Sequence, residues 1–302
     1  MKIVVFGGSG FLGSHVADVL SEGGHEVTVF DIKKSLYIRP DQKMIIGDML
    51  DPDAVKKALK DCVYVYHFAG FADLDDATTK PLDTVTKNIK GTVTLLDAAV
   101  HANVERFIYA STIYVYSTLG GFYRCSKQAA ELYVEECQRS YGLNYTILRY
   151  GTLYGPRADM RNSLYRYLKQ GLLDGKIKFG GSEDDIREYV HVRDAARLSV
   201  DVLSETFRNQ HIIITGHHPT KSTDLLNMIR EILNQELTVE FVESSSEAHY
   251  TVTPYSFSPK IGNKLVGNRY MDMGQGLLEC LHEIHSSMNP LERPLGDGGD
   301  SM

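Results

Sequence analysis

Three side chains near the middle of the sequence have the types and spacing that proton transfer from an alcohol requires. Tyr123 and Lys127 are four residues apart, and Thr112 precedes Tyr123 by eleven residues. Positions i and i+4 of a helix share a face, so the phenol and the ammonium group would be neighbours. A nearby cation is expected to lower the pKa of a phenol from its ordinary value of about 10. The pattern predicts a tyrosine base assisted by a threonine hydroxyl, although the same Tyr–Lys spacing also occurs on ordinary amphipathic helices.

A glycine-rich segment lies close to the start of the chain. Residues 5–14 read VFGGSGFLGS, after an apolar stretch (Lys2–Phe6) and before a helical pattern (Phe11–Glu22). A strand, a G-x-G-x-x-G loop and a helix together are typical of dinucleotide binding, because the glycines let the backbone and the helix N-terminus approach a diphosphate. The predicted contacts are Gly7, Gly10, Phe11, Leu12 and Gly13.

An acidic residue follows the second apolar stretch at the expected distance. Asp31 comes 18 residues after Gly13. A carboxylate about 20 residues after the loop binds the ribose hydroxyls of NAD and would repel the 2′-phosphate of NADP. The nearby Lys33 and Lys34 weaken this argument, but NAD is favoured over NADP. The remaining alternative is a glycine-rich turn beside an exposed aspartate.

The elements that must position these residues alternate between strand and helix patterns. Such alternation predicts βαβ units and a Rossmann fold, a doubly wound parallel sheet with helices on both faces. After Arg149 the alternation is looser, which indicates a smaller C-terminal α/β lobe that binds the substrate. We expect an NAD-binding domain over residues 1–160, with returning segments near 189–215, then the substrate-binding lobe at 161–290 and a flexible tail at 291–302. The predicted strands are Lys2–Phe6, Glu26–Phe30, Lys43–Ile46, Tyr64–Phe68, Arg106–Tyr109, Tyr145–Leu148 and Glu236–Val242, and the predicted helices are Phe11–Glu22, Pro52–Leu59, Thr84–His101, Tyr123–Arg139, Ser163–Leu173, Val192–Ser204 and Thr223–Leu233.

Composition excludes several classes of function. The 302 residues carry 32 Lys and Arg against 39 Asp and Glu, a net charge of −7, which disfavours general nucleic-acid binding. No apolar run reaches the roughly 20 residues that span a bilayer, so we expect no membrane association. The four cysteines form no Cys-x-x-Cys pair and the histidines have no metal-binding spacing, so we expect reduced thiols, no metal site and a cytoplasmic location. Residues 149–197 nevertheless hold ten basic and seven acidic residues, a local charge of +3 that would suit a diphosphate ligand.

The motifs taken together resemble one family. The chain is similar to the extended short-chain dehydrogenases/reductases of the NAD-dependent epimerase/dehydratase family, which modify sugar nucleotides. The resemblance is close over about residues 1–200 and looser beyond. It is carried by the glycines at 7, 10 and 13, Gly47-Asp48, His67-Phe68-Ala69-Gly70, Asn88, Ser111-Thr112, Val115-Tyr116, Tyr123 with Lys127, Arg149-Tyr150, Tyr154-Gly155-Pro156-Arg157 and the block from Arg187 to Asp194.

The resemblance implies roles for individual residues. Thr112, Tyr123 and Lys127 match the catalytic trio, with Tyr123 as base and Lys127 also holding the nicotinamide ribose. Asp48 resembles the acid that contacts the adenine amine, and Ser111 would lie against the nicotinamide. The remaining cofactor residues implied are Met49, Phe68, Ala69, Gly70 and Asn88, and the substrate residues are Thr152, Arg157 and Arg187, of which Arg187 resembles the arginine that holds the substrate diphosphate. The family also implies a homodimer, formed through Thr84–His101 and Tyr123–Arg139.

The chain departs from the family pattern at three places that bear on the reaction. Only six residues separate Tyr116 from Tyr123, where the family has a longer segment. Ile113 and Tyr114 replace the Asp-Glu pair that follows the catalytic threonine in 4,6-dehydratases, and Thr152 replaces the usual Asn. Loss of the acids disfavours elimination and decarboxylation.

The leading hypothesis is an NAD-dependent epimerase of a nucleotide-linked hexose, acting at C4. The alternatives are an NAD(P)-dependent reductase or dehydrogenase of a keto sugar nucleotide, and a non-enzymatic dinucleotide-binding protein.

Overall fold

The computed structural model describes residues 1–234, 236–242, 251–252 and 254. The tail predicted at 291–302 lies outside these residues. The strands are β1 (Lys2–Phe6), β2 (Glu26–Asp31), β3 (Lys43–Ile46), β4 (Tyr64–His67), β5 (Arg106–Thr112), β6 (Asn144–Tyr150), β7 (Thr152–Tyr154), β8 (Lys176–Gly180), β9 (Ile186–His191), β10 (Gln210–Ile214), β11 (Pro219–Lys221) and β12 (Thr238–Val242).

The helices that the sequence predicts are present in the predicted order, together with the short helices Leu74–Thr79 and Pro81–Thr84, which it does not predict. The α-helices are α1 (Phe11–Glu22), α2 (Pro52–Ala58), α3 (Leu74–Thr79), α4 (Pro81–Thr84), α5 (Gly91–His101), α6 (Gly121–Tyr141), α7 (Ser163–Asp174), α8 (Val192–Asp201) and α9 (Ser222–Leu233). A π-helical segment, Val85–Lys90, joins α4 to α5, and 3-10 turns cover Ile113–Tyr116 and Glu205–Phe207.

In the described part of the chain, seven parallel strands form the central sheet in the order β10-β6-β5-β4-β1-β2-β3. The chain winds outward in both directions from β1 and β4. The order β3-β2-β1-β4-β5-β6 is that of a Rossmann fold, in which ligands bind beyond the carboxyl ends of the strands where the winding reverses. The predicted fold class is therefore confirmed.

Helices cover both faces of the sheet, and alternate residues of each strand point to opposite faces. In β1, Val4 and Phe6 join an apolar cluster with α2 and α5, whereas Ile3 and Val5 join a second cluster with α1 and α8. Strands buried on both faces are continuously apolar, which is why the sequence pattern found them readily.

A smaller group of helices and strands follows the sixth strand. Helices α7 and α9 pack with the parallel pair β8 and β12 around a third apolar cluster, which includes Tyr167 and Phe179. Strands β7, β9 and β11 form a separate sheet. The sequence prediction missed β7 to β11, since these strands have three to six residues and several are half-exposed. Strand β10 leaves this group and joins the central sheet beside β6.

Most predicted boundaries differ from the structure by one to three residues, and two of the differences bear on the site. The helix predicted at Thr84–His101 contains the π-helical segment, and the strand predicted at Arg106–Tyr109 continues to Thr112. Among the described residues, no helix combines the length and apolar character needed to cross a bilayer.

Candidate active site

The glycine loop packs so closely against neighbouring backbone that side chains are excluded. Gly7 has φ +78°, and a Cβ there would lie 2.4 Å from the backbone N of Ala69. A Cβ at Gly13 would lie 2.3 Å from the carbonyl oxygen of Gly7. Gly10 caps α1 without any side-chain hydrogen bond, so no side chain of the cap satisfies the first N–H groups of the helix. This loop fits a dinucleotide diphosphate, which needs close backbone approach and free N–H donors.

Asp31 is fixed at the edge of this loop. Its Oδ2 accepts a hydrogen bond from the backbone N of Ser9 at 3.0 Å, and its Oδ1 accepts one from the backbone N of Lys33 at 3.1 Å. The carboxylate is therefore oriented by the chain on both sides. This arrangement suits the predicted recognition of ribose hydroxyls by Asp31.

The two residues predicted beyond β3 have different environments. Asp48 accepts a hydrogen bond from the backbone N of Leu50 at 2.9 Å. Met49 is buried in the cluster beneath β3 and β4, and its side chain fills the space above Gly91, where a Cβ would lie 2.8 Å from the methionine Cε. Their predicted contacts with the cofactor remain predictions.

Asn88 ties the loop after β4 to α6. Its Oδ1 accepts from the backbone N of Phe71 at 2.6 Å, and its Nδ2 donates to the carbonyl of Phe71 and to Ser126 Oγ, both at 2.9 Å. A Cβ at Gly70, which has φ +156°, would meet Asn88 Oδ1 at 2.7 Å. These hydrogen bonds engage both the oxygen and the nitrogen of the amide, so Asn88 supports the loop that follows Phe68-Ala69-Gly70 through the backbone of Phe71. Its predicted contact with the cofactor stays a prediction.

The predicted trio converges at the carboxyl end of β5. Thr112, Tyr123 and Lys127 are each less than 9% exposed, and Thr112 hydrogen-bonds to the Tyr123 phenol. Lys127 Nζ donates to the carbonyl of Ala110 at 2.8 Å and lies 4.8 Å above the Tyr109 ring. The sequence expectation that these three residues share one site is met in the geometry.

Burial moves the two titrating groups away from their charged forms. It raises the pKa of Tyr123 to about 12, against the Thr112 hydrogen bond, which lowers it. It also lowers the pKa of Lys127 to about 8, against the Glu131 carboxylate, which raises it. In the protein alone the pKa of Tyr123 is therefore raised, because desolvation penalises a phenolate and an ammonium alike, and the lowering expected from Lys127 stays a prediction.

A buried carboxylate that sequence reasoning missed lies one turn beyond Lys127. Glu131 accepts from Ser111 Oγ at 2.5 Å and forms an ion pair with Arg149 at 2.7 Å. Tyr123, Lys127 and Glu131 are spaced at i, i+4 and i+8, so all three lie on the buried face of α6. This spacing was the available signal.

The short segment before α6 packs against the aromatic ring of Tyr114. Gly120 has φ +94°, and a Cβ there would lie 2.8 Å from Cδ1 of Tyr114. The Tyr114 ring stands edge-on to Tyr123, with centroids 6.4 Å apart. The clipped loop therefore places a second tyrosine beside the catalytic candidate.

The predicted substrate residues are spread over two regions. Arg187, on β9, is buried with Asp185 3.5 Å away, and Thr152 begins β7 opposite Tyr189. Arg157, by contrast, lies against α1, with Asp18 at 2.6 Å and its guanidinium 4.5 Å above the Tyr37 ring.

The local charge of +3 is offset by acids from outside the segment, since Glu131 pairs with Arg149, Asp18 with Arg157 and Glu240 with Lys176. Acidic partners lie beside Arg149, Arg157, Arg161, Arg187 and Arg197. In the described part of the chain, no group of His, Cys, Asp and Glu is arranged to hold a metal ion.

Comparison with known proteins identifies the family. The model of the NAD dependent epimerase/dehydratase family matches residues 3–215. The chain belongs to this family. It is 26% identical to a UDP-glucose 4-epimerase of Lactobacillus helveticus, over 87% of this chain and 86% of that protein. It is 28% identical to a dTDP-glucose 4,6-dehydratase of Mycolicibacterium smegmatis, over 98% and 97% of the two chains.

The fold is also that of a solved family member. A UDP-glucuronic acid 4-epimerase from Bacillus cereus, in complex with UDP-glucuronic acid and NAD, superposes with a TM-score of 0.78 at 26% identity. The match covers 87% of this chain and 95% of that one. The chain is thus a member of an NAD-dependent enzyme family with a Rossmann fold.

Proposed function

We propose that this protein is an NAD-dependent epimerase that inverts C4 of a nucleotide-linked hexose. The observation that carries the proposal is the buried Thr112–Tyr123–Lys127 site beside the glycine loop at the carboxyl edge of the sheet. Relatives named as UDP-sugar 4-epimerases match most of the chain in sequence and in fold, which supports the same reaction class.

Each residue of the trio has a distinct task in this reaction. Tyr123 takes the proton of the sugar hydroxyl and returns it when the keto sugar is reduced again. Thr112 hydrogen-bonds at the same oxygen and orients it. Lys127, protonated at neutral pH with a pKa of about 8, supplies positive charge that favours the phenolate as the reaction proceeds. The glycine loop and Asp31 would hold NAD, which would supply oxidation and re-reduction of the sugar carbon with no net redox change.

Elimination of water is disfavoured by the residues that follow Thr112. A dehydratase needs an acid to protonate the leaving hydroxyl. Ile113 is buried and apolar, and Tyr114 carries a phenol, whose ordinary pKa of about 10 makes it a far weaker acid than a carboxyl group. An epimerase needs no such acid, so these residues favour epimerisation over dehydration for this protein.

The two parts of the chain divide the work in this proposal. Residues 1–160, with returning segments near 189–215, bind NAD, and residues 161–290 bind the sugar nucleotide. Arg187 and Thr152 contact the substrate. Arg157 was expected to do the same, but its ion pair with Asp18 supports a role in fixing the segment after β7 against α1.

We also propose that the protein is a cytoplasmic homodimer. Leu132 and Tyr133 are exposed on the outer face of α6, and Leu82 and Val85 are exposed on the neighbouring helical segments. Burial of these apolar side chains against a second copy would be favourable. In the described residues the cysteines are free thiols, which suits a reducing compartment.

The test is NMR of UDP-, GDP-, CDP- and dTDP-hexoses incubated with the purified protein and catalytic NAD. An epimerase interconverts two C4 epimers of one sugar without change in nicotinamide absorbance, and Tyr123→Phe abolishes the conversion. Stoichiometric oxidation of added NADH or NADPH would instead identify a reductase. NAD binding with every sugar unchanged would leave a dinucleotide-binding protein and overturn the proposal.

A further inference from the structure

Helix α6 carries a buried carboxylate that contacts strand β5 directly before Thr112. Glu131 is 5% exposed, and its Oε1 accepts a hydrogen bond from Ser111 Oγ at 2.5 Å. Arg149, on the neighbouring strand β6, donates to both oxygens of this carboxylate, from Nε at 3.1 Å and from Nη2 at 2.7 Å. The forked geometry fixes the orientation of both side chains.

The same arginine holds the far end of the segment that contains Thr112. Arg149 Nη1 donates to the Tyr116 hydroxyl at 2.6 Å, and its guanidinium lies 4.8 Å above the Tyr116 ring. Tyr116 ends the 3-10 turn that follows Thr112. The Glu131–Arg149 pair therefore hydrogen-bonds to both Ser111 and Tyr116, and Thr112 lies between these two residues in the chain.

We propose that the Glu131–Arg149 pair positions Thr112 for the reaction. Thr112 must hold one fixed place relative to Tyr123, because an error of about 1 Å in a catalytic group can cost roughly a hundredfold in rate. A buried ion pair is weak evidence for stabilisation, since desolvation of the two charges offsets their attraction. A pair that joins α6, β6 and both ends of one catalytic segment has geometry suited to orientation. This inference rests on the proposed epimerase function.

Glu131 has a second effect on the site, through charge. The titratable groups that face Lys127 are His67 from β4, Tyr109 from β5, and Tyr123 and Glu131 from α6. Of these, the Glu131 carboxylate favours the charged lysine. Removal of its charge should therefore lower the pKa of Lys127 below about 8 and move the alkaline limb of the rate profile to lower pH.

The experiment compares Glu131→Gln and Tyr116→Phe with the wild-type protein. Each variant nearly keeps the shape of its side chain. Glu131→Gln removes the charge that pairs with Arg149, and Tyr116→Phe removes the hydroxyl that accepts a hydrogen bond from Arg149. We expect kcat to fall by about tenfold in Glu131→Gln and by about threefold in Tyr116→Phe, with KM changed by less than about twofold, because the losses are in transition-state orientation. In Glu131→Gln alone, the alkaline limb of kcat should shift down by about half a pH unit.

The matched control is Glu136→Gln. Glu136 lies on the same helix but is half-exposed, and it pairs with Arg139 on the surface. This variant should keep the wild-type kcat and pH profile. Urea unfolding of all variants, followed by circular dichroism, separates loss of folded protein from loss of rate.

Two outcomes are decisive. Folded Glu131→Gln and Tyr116→Phe proteins with wild-type kcat and an unmoved alkaline limb would overturn the inference, leaving the pair as a purely structural contact. Tyr123→Phe is run in the same assay to separate the two proposals. If Tyr123→Phe keeps full activity, the proposed function itself fails, whereas an inactive Tyr123→Phe beside unaffected Glu131 and Tyr116 variants rejects only the positioning role.

Discussion

Burial dominates the electrostatics of Tyr123 and Lys127. It raises the pKa of the phenol to about 12 and lowers the pKa of the ammonium to about 8. A protein pays for such a site in stability, since folding removes the lysine charge from water. Lys127 therefore carries a desolvation cost in the folded protein.

The folding cost of Lys127 has a definite pH dependence. Between pH 8 and the ordinary lysine pKa of 10.5, the unfolded chain binds this proton more tightly than the folded chain does. Stability from this group thus rises with pH through that window, and the full penalty is present below it.

Substitution of Lys127 by Met should make the protein more stable and inactive. We expect the free energy of unfolding at pH 7 to rise by about 1–3 kcal/mol, and this advantage to shrink towards pH 10. Urea unfolding at pH 7 and pH 9.5 measures both effects. Lys57→Met, at an exposed position of α2, is the control and should change stability by less than about 0.5 kcal/mol. A Lys127→Met protein less stable than wild type at pH 7 would contradict this account.

At the scale of elements, the strand-loop-helix unit of β1 and α1 depends on backbone contacts. Gly13 lies over the carbonyl of Gly7, and Gly7 lies over the loop after β4. The unit cannot accommodate a Cβ at these points without movement of backbone. The diphosphate site and the packing of α1 on the sheet are therefore one structural requirement.

Gly13→Ala tests whether close backbone packing, as distinct from backbone strain at a glycine, is needed for NAD binding. Its Cβ would lie 2.3 Å from the Gly7 carbonyl oxygen, so the loop must shift, and we expect NAD affinity to fall by at least about tenfold. Gly24→Ala is the control. Gly24 has φ +75°, but no atom of the described residues lies within 4 Å of an added Cβ, so only backbone strain of about 1 kcal/mol is expected, with NAD affinity unchanged. Calorimetric titration with NAD decides, and equal affinities in the two variants would contradict the close-packing argument.

At the scale of the whole molecule, ion pairs join segments that are remote in sequence. Arg157 and Asp18 are 139 residues apart, and this pair holds the segment after β7 against α1. The chain carries a net charge of −7, and several basic residues of its positive segment, Arg157 and Arg187 among them, lie beside acids. We therefore expect the binding of a diphosphate to depend more on which arginine it can approach than on the net charge of residues 149–197.

The proposed dimer is tested by placing a charge on the outer face of α6. Leu132 is 65% exposed, so Leu132→Glu should leave the monomer folded. If this face is the interface, burying the new carboxylate is costly and the dimer should dissociate at micromolar concentration. Light scattering coupled to size exclusion measures the mass. Leu198→Glu, at an exposed position of α8, should keep the wild-type mass, and a Leu132→Glu dimer would refute this interface.

The sequence alone determined the fold class, the glycine loop, Asp31 and the shared helical face of Tyr123 and Lys127. These features are encoded locally, in strand and helix periodicity and in backbone conformations that only glycine adopts easily. The tertiary structure decided the partner of Arg157, the Glu131–Arg149 ion pair and the short strands β7 to β11. It also decided the direction in which the pKa of Tyr123 and the pKa of Lys127 change. Each of these depends on burial and on pairing between distant segments, and desolvation reverses what residue types alone suggest for a phenol beside an ammonium group.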